Sequence, residues 1–125
     1  MRAPTAQIAI VDDDASVRKA LTRLLKASSY TVETFASASD FLASLKQRIP
    51  DCLIVDLQMP GMDGLELRIS LTRAGIAIPT IVVTAHDEPG DRERCSTAGA
   101  TAYLLKPIQK TELIAAIRAA TKAAM

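Results

Sequence analysis

QIAIVDDDASVRKALTRLLKA, residues 7–27, changes its period partway along, and that change decides the architecture. Within it IAIV, residues 8–11, is an apolar run too short for a helix, and three aspartates stop it at once. From Val17 onward, Leu21, Leu24 and Leu25 recur at i+4, i+7 and i+8, while Arg18, Lys19, Arg23 and Lys26 take the opposite side. The segment therefore reads as a strand, a charged turn and an amphipathic helix. A strand apolar along its length needs cover on both faces, which the helices of βα units provide.

The same unit recurs along the chain. Further strands are predicted at 31–35 (TVETF), 52–55 (CLIV), 79–84 (PTIVVT) and 102–105 (AYLL). Phe41, Leu42 and Leu45 mark a second helix, with Ser39 or Asp40 as its N-cap. Leu65, Ile69 and Thr72 line a third, and Leu113, Ile117 and Ala120 a fifth. The fourth, near 91–98 (DRERCSTA), has almost no apolar face and is expected to be short, weakly held and mobile. Pro50, Pro60, Pro79, Pro89 and Pro107 all fall at element boundaries. Five alternations predict an α/β fold: a three-layer αβα sandwich around a five-stranded parallel sheet. The first, third and fourth strands are the most apolar and so central, as in the flavodoxin-like order 2-1-3-4-5.

At 125 residues and 49% hydrophobic, the chain suits one domain spanning 1–125, with no output domain expected. Fifteen basic against 14 acidic side chains leave a net charge of +1, which gives no reason to expect direct contact with nucleic acid or membrane. The opening MRAPTAQ is followed by no secretory h-region, and no stretch nears the roughly 20 apolar residues of a membrane span. A cytoplasmic location is expected. Cys52 and Cys95 lack CxxC spacing and read as buried, reduced residues.

In open α/β sheets, sites form beyond the carboxyl ends of the strands. Those ends carry Asp12 and Asp13, Asp56, Thr84 and Lys106. Three carboxylates sharing a narrow pocket repel by about 4 kcal/mol per pair at an effective dielectric near 20. Lys106 offsets part of that charge. The oxygen donors, with no His or Cys among them, favour Mg²⁺ (or Mn²⁺), with Asp13 and Asp56 as direct ligands and Asp12 acting through water. A carboxylate beside such a cation is also a nucleophile towards phosphorus. Asp14 reads instead as the N-cap of the first helix. A dinucleotide-binding domain would need GxGxxG where this chain has DDDAS, whose charges would repel a pyrophosphate.

The motifs VDDD (11–14), IVDLQMPGMDG (54–64), VVTAH (82–86) and YLLKP (103–107) resemble, in this order and spacing, those of response-regulator receiver domains of bacterial two-component systems. The spacings and the SASDFL segment (37–42) resemble the FixJ-like branch. The resemblance covers the whole chain. It implies that Asp56 is the phosphoacceptor, that Asp12 and Asp13 are the acidic pair, and that Gln58 is a metal ligand through its backbone carbonyl. It implies Thr84 as the switch hydroxyl, Lys106 as the phosphate-binding lysine, Tyr103 as the switch aromatic, and a cis Lys106-Pro107 bond.

Gln58 and His86 would flank the phosphoryl group and tune its hydrolysis. On phosphorylation, Thr84 would move towards the phosphate and vacate space into which Tyr103 turns. The implied donor is a sensor histidine kinase or phosphotransfer protein, and the implied output is a phosphorylation-dependent homodimer through the fourth helix, fifth strand and fifth helix. The protein would be a signalling domain, catalysing only its own phosphorylation and dephosphorylation. Ile108, Gln109 and Ser28-Ser29 depart from the family pattern outside the phosphorylation site. A haloacid-dehalogenase-like phosphatase would need a second Asp at Gln58. The remaining alternative is a pseudo-receiver that binds partners without accepting phosphate.

Overall fold

The computed structural model describes residues 6–123. The segment 1–5, part of the opening read as carrying no secretory signal, lies outside the described residues. Strands β1 (Gln7–Val11), β2 (Thr31–Phe35), β3 (Cys52–Asp56), β4 (Thr80–Thr84) and β5 (Ala102–Leu105) alternate with helices α1 (Ala15–Ala27), α2 (Ala38–Ser44), α3 (Gly64–Arg73), α4 (Asp91–Thr97) and α5 (Lys110–Ala123). The sheet is parallel throughout, in the order β2-β1-β3-β4-β5. This is the flavodoxin-like fold expected.

Period-two alternation divides the strand side chains between two cores. Ile8, Ile10, Ile54, Ile81 and Val83 pack with Leu21 and Leu25 of α1 and with Leu113, Ile117 and Ala120 of α5. Ala9, Val11, Leu53, Val55 and Val82 face the other way, onto Phe41 of α2, Leu67 and Leu71 of α3 and Cys95 of α4. Edge strand β2 is largely exposed, as an outer position requires. Cys52 and Cys95 are free and buried, and burial pushes the Cys52 thiol up to about 12. Among the described residues, no helix is long and apolar enough to cross a membrane.

Four details correct the sequence reading. The N-cap of α2 is Ser37, whose hydroxyl accepts from the Asp40 backbone N–H; Ser39 and Asp40 lie inside the helix. The inward face of α3 is Gly64, Leu67, Arg68 and Leu71, while Leu65 and Ile69 are only partly buried and Thr72 is exposed. Both stripes satisfy helical spacing, and packing chose between them. A Cβ on Gly64 would stand 2.6 Å from the Asp56 carbonyl oxygen, so only glycine lets α3 start this close to β3. Pro79 lies outside β4, and β3 extends one residue further than expected, to include Asp56.

α4 is seven residues long and sinks a single apolar side chain, Cys95, into the core, matching its predicted brevity. Ser29, where the usual glycine turn is missing, holds φ at 71° after the end of α1.

Candidate acidic site at the carboxyl ends of the strands

The carboxyl ends of β1, β3, β4 and β5 bring the expected residues to one edge of the sheet. Asp12 follows β1 and is buried, with both of its oxygens engaged. Oδ1 accepts from the Asp14 backbone N–H at 2.9 Å, and Oδ2 accepts from Lys106 Nζ at 3.0 Å. Arg18, one turn into α1, donates to the Asp12 carbonyl oxygen at 2.7 Å, fixing the turn from behind. Asp14 caps α1 through Ser16, as read from the sequence. Asp13 projects into solvent and makes none of the side-chain hydrogen bonds found among the described residues.

Asp56, the last residue of β3, is buried and lies 3.5 Å from Lys106 Nζ. One oxygen from each of Asp12, Asp13 and Asp56 falls within a common 4.8 Å. Burial raises the Asp56 pKa, Asp12 raises it further, and Lys106 only partly opposes them. Burial works against the Lys106 ammonium, but the bond to Asp12 and the charges of Asp56 and Asp12 outweigh it and hold its pKa above the ordinary lysine value. Three carboxylates against one ammonium leave negative charge uncompensated. One exposed carboxylate with free lone pairs, beside a buried one, is a donor set that suits a hard divalent cation keeping several waters.

Thr84 ends β4 with no solvent exposure. Its hydroxyl donates to Gln58 Oε1 at 2.6 Å and accepts from the His86 backbone N–H at 3.0 Å, while Gln58 Nε2 donates to the His86 carbonyl at 3.2 Å. Gln58 and His86 are both exposed and meet above Thr84. Lys106-Pro107 is cis.

Tyr103 is buried at 8% exposure, its ring packed with the core formed by α2, α3 and α4. Two residues that the sequence did not flag hold it there. Asp87 accepts from the Tyr103 hydroxyl at 2.7 Å, and the Arg92 guanidinium lies 4.6 Å from the ring centroid. Burial, then Asp87, pushes the phenol pKa up. Asp87 sits in an exposed loop without periodicity, and the only signal for it was its place three residues beyond Thr84.

A family-wide profile of the response regulator receiver domain matches residues 8–118. Nodulation protein W of Bradyrhizobium diazoefficiens is 36% identical over 117 residues, 94% of this chain and 52% of that protein. Response regulator protein TodT of Pseudomonas putida is 39% identical over the same share of each. The chain thus spans about half the length of these curated relatives. Among solved structures, FixJ-N superposes with a TM-score of 0.89 at 35% identity, covering 96% of both chains. Vibrio cholerae chemotaxis protein CheY4 superposes at 0.85 with 27% identity, covering 94% of this chain and 99% of that one. With the profile spanning nearly all of the described residues and the acidic edge assembled as its motifs require, the chain belongs to the receiver-domain family of two-component response regulators.

Proposed function

We propose that Asp56 accepts a phosphoryl group from a sensor histidine kinase or phosphotransfer protein, in a reaction that requires Mg²⁺ or Mn²⁺. The observation that carries this reading is the position of the Asp56 carboxylate: buried, 3.5 Å from Lys106 Nζ, and within 4.8 Å of Asp12 and Asp13 oxygens. An Asp56 oxygen attacks phosphorus, a P–O bond to the carboxylate forms, and the bond to the donor imidazole breaks, its electron pair leaving with the ring. Asp13 and Asp56 would hold the cation directly, with the Gln58 backbone carbonyl beside them and Asp12 acting through water. When bound, the cation offsets charge on the phosphoryl oxygens.

Lys106 contributes the fixed positive charge, and its bond to Asp12 aims the ammonium before the phosphoryl group arrives. Thr84 supplies a hydroxyl donor once its proton is turned from Gln58. Charge-assisted bonds of this kind are worth about 1.5–3 kcal/mol each. Two of them are comparable to the roughly 5.5 kcal/mol that carries a two-state equilibrium from 1:99 to 99:1. Gln58 and His86 border the path of a hydrolytic water and would set the lifetime of the signal.

The output would be a homodimer through α4, β5 and α5, where Leu105 is 44% exposed on the edge strand. The domain would act in the cytoplasm as a signalling module that catalyses only its own phosphorylation and dephosphorylation. It would form one unit across residues 1–125 and make no direct contact with nucleic acid or membrane. Intact mass spectrometry after incubation with acetyl phosphate tests the reading. Wild type should gain one phosphoryl group with Mg²⁺ and none with chelator, and Asp56→Asn should gain none. No gain from acetyl phosphate or from the cognate kinase would favour the pseudo-receiver.

A further inference from the structure

Thr84, Gln58 and His86 close a ring of hydrogen bonds across the loops that follow β3 and β4. The Thr84 hydroxyl has one proton and two acceptors within reach, Gln58 Oε1 at 2.6 Å and the His86 carbonyl at 3.0 Å. The shorter contact marks the stronger bond. The same oxygen accepts from the His86 N–H, and Gln58 Nε2 reaches the His86 carbonyl, so each of the three residues bonds to the other two. Among the described residues, the Thr84 hydroxyl makes no bond to Asp56 or Lys106.

A ring satisfied in this way competes with any new acceptor. Thr84 is buried, so its hydroxyl has no solvent to exchange with, and turning the proton towards a phosphoryl oxygen leaves the Gln58 carbonyl oxygen without its donor. Gln58 is exposed and serves no core, so the side chain can be altered without opening a cavity.

We infer that Gln58 is a positioning residue that holds the Thr84 hydroxyl away from the acidic pocket and thereby sets how tightly a phosphoryl group at Asp56 is held at equilibrium. This inference rests on the proposed phosphorylation of Asp56. It differs from control of hydrolysis, because it concerns the equilibrium of the hydroxyl rather than the approach of water.

The test is a double-mutant cycle on the full chain, with beryllium fluoride and Mg²⁺ as a non-hydrolysable probe that forms a tetrahedral adduct with a carboxylate. Wild type, Gln58→Leu, Thr84→Val and the double variant are titrated while backbone amide resonances of residues 84–87 are followed by NMR. Gln58→Leu should bind the probe about two- to tenfold more tightly than wild type, the range one net hydrogen bond supports. The same change in the Thr84→Val background should have no effect on affinity. Thr84→Ala serves in its place if Thr84→Val does not fold. Unchanged or weaker binding by Gln58→Leu, or equal tightening in both backgrounds, would overturn the inference. If wild type bound no probe and gained no phosphoryl group, the Asp56 reading would fall and this inference with it, whereas wild type binding with Gln58→Leu unchanged would remove this inference alone.

Discussion

Replacing Asp56 by Asn should stabilise the metal-free protein while abolishing its phosphorylation. At an effective dielectric near 20, the carboxylates of Asp12 and Asp56 within 4.8 Å repel by about 3.5 kcal/mol or more. The Lys106 ammonium 3.5 Å from Asp56 returns about 5 kcal/mol on the same scale. These two oppose each other at similar size, so burial decides the sign, in agreement with the raised Asp56 pKa. Ionised Asp56 is therefore a net cost to the metal-free fold, which the neutral Asn side chain does not carry.

A raised carboxylate pKa stabilises the fold at low pH, and that contribution is lost as pH climbs through the folded value. The advantage of Asp56→Asn should therefore be absent below about pH 4, the ordinary aspartate range, and complete once pH exceeds the raised value. Urea unfolding in chelator at neutral pH measures it, with an accompanying rise in Tm of about 3–6 °C for each kcal/mol gained. Added Mg²⁺ should stabilise wild type by mass action and narrow the gap. A variant less stable than wild type in chelator, or Mg²⁺ raising both proteins equally, would refute the electrostatic reasoning.

Three further outcomes test the supporting structure. Gly64→Ala places a methyl group 2.6 Å from the Asp56 carbonyl oxygen, so α3 must shift, and equilibrium unfolding should show a loss of about 1–3 kcal/mol. Ser29→Gly removes the left-handed strain at φ 71° and, after the entropic cost of glycine, should raise stability by about 0.5–1 kcal/mol, read from the urea midpoint. Asp87→Ala takes away the acceptor and negative charge at the Tyr103 hydroxyl. The Tyr103 pKa should fall yet stay above the ordinary tyrosine value, because burial is the larger cause; phenolate absorbance against pH in a Tyr30→Phe background reads it.

The sheet and its acidic edge were legible in the sequence because both depend on short-range order. Apolar runs fix the strands, and the residue at each carboxyl end is delivered to the edge whatever the loops do, which is why Asp12, Asp56, Thr84 and Lys106 converge. The phase of α3 was not legible, since two stripes share the helical period and the choice rests on Gly64 meeting the β3 backbone. The Ser37 cap was displaced from the expected Ser39 or Asp40 because several capping residue types crowd one turn. Arg68 carried no signal in the sequence, yet it is buried, donating to the Ile78 carbonyl and the Thr80 hydroxyl, acceptors that a helical pattern does not reveal. The ring around Thr84 and the hold on Tyr103 come from loop residues, whose positions follow from tertiary packing rather than local pattern.

The most direct measurement is the location of the acyl phosphate. After incubation with acetyl phosphate and Mg²⁺, borohydride reduction converts a phosphorylated aspartate to homoserine, and peptide sequencing by mass spectrometry identifies the position. The account predicts homoserine at position 56 in wild type, only when Mg²⁺ is present. Homoserine at Asp12 or Asp13, or modification of Asp56 that is indifferent to Mg²⁺, would contradict it.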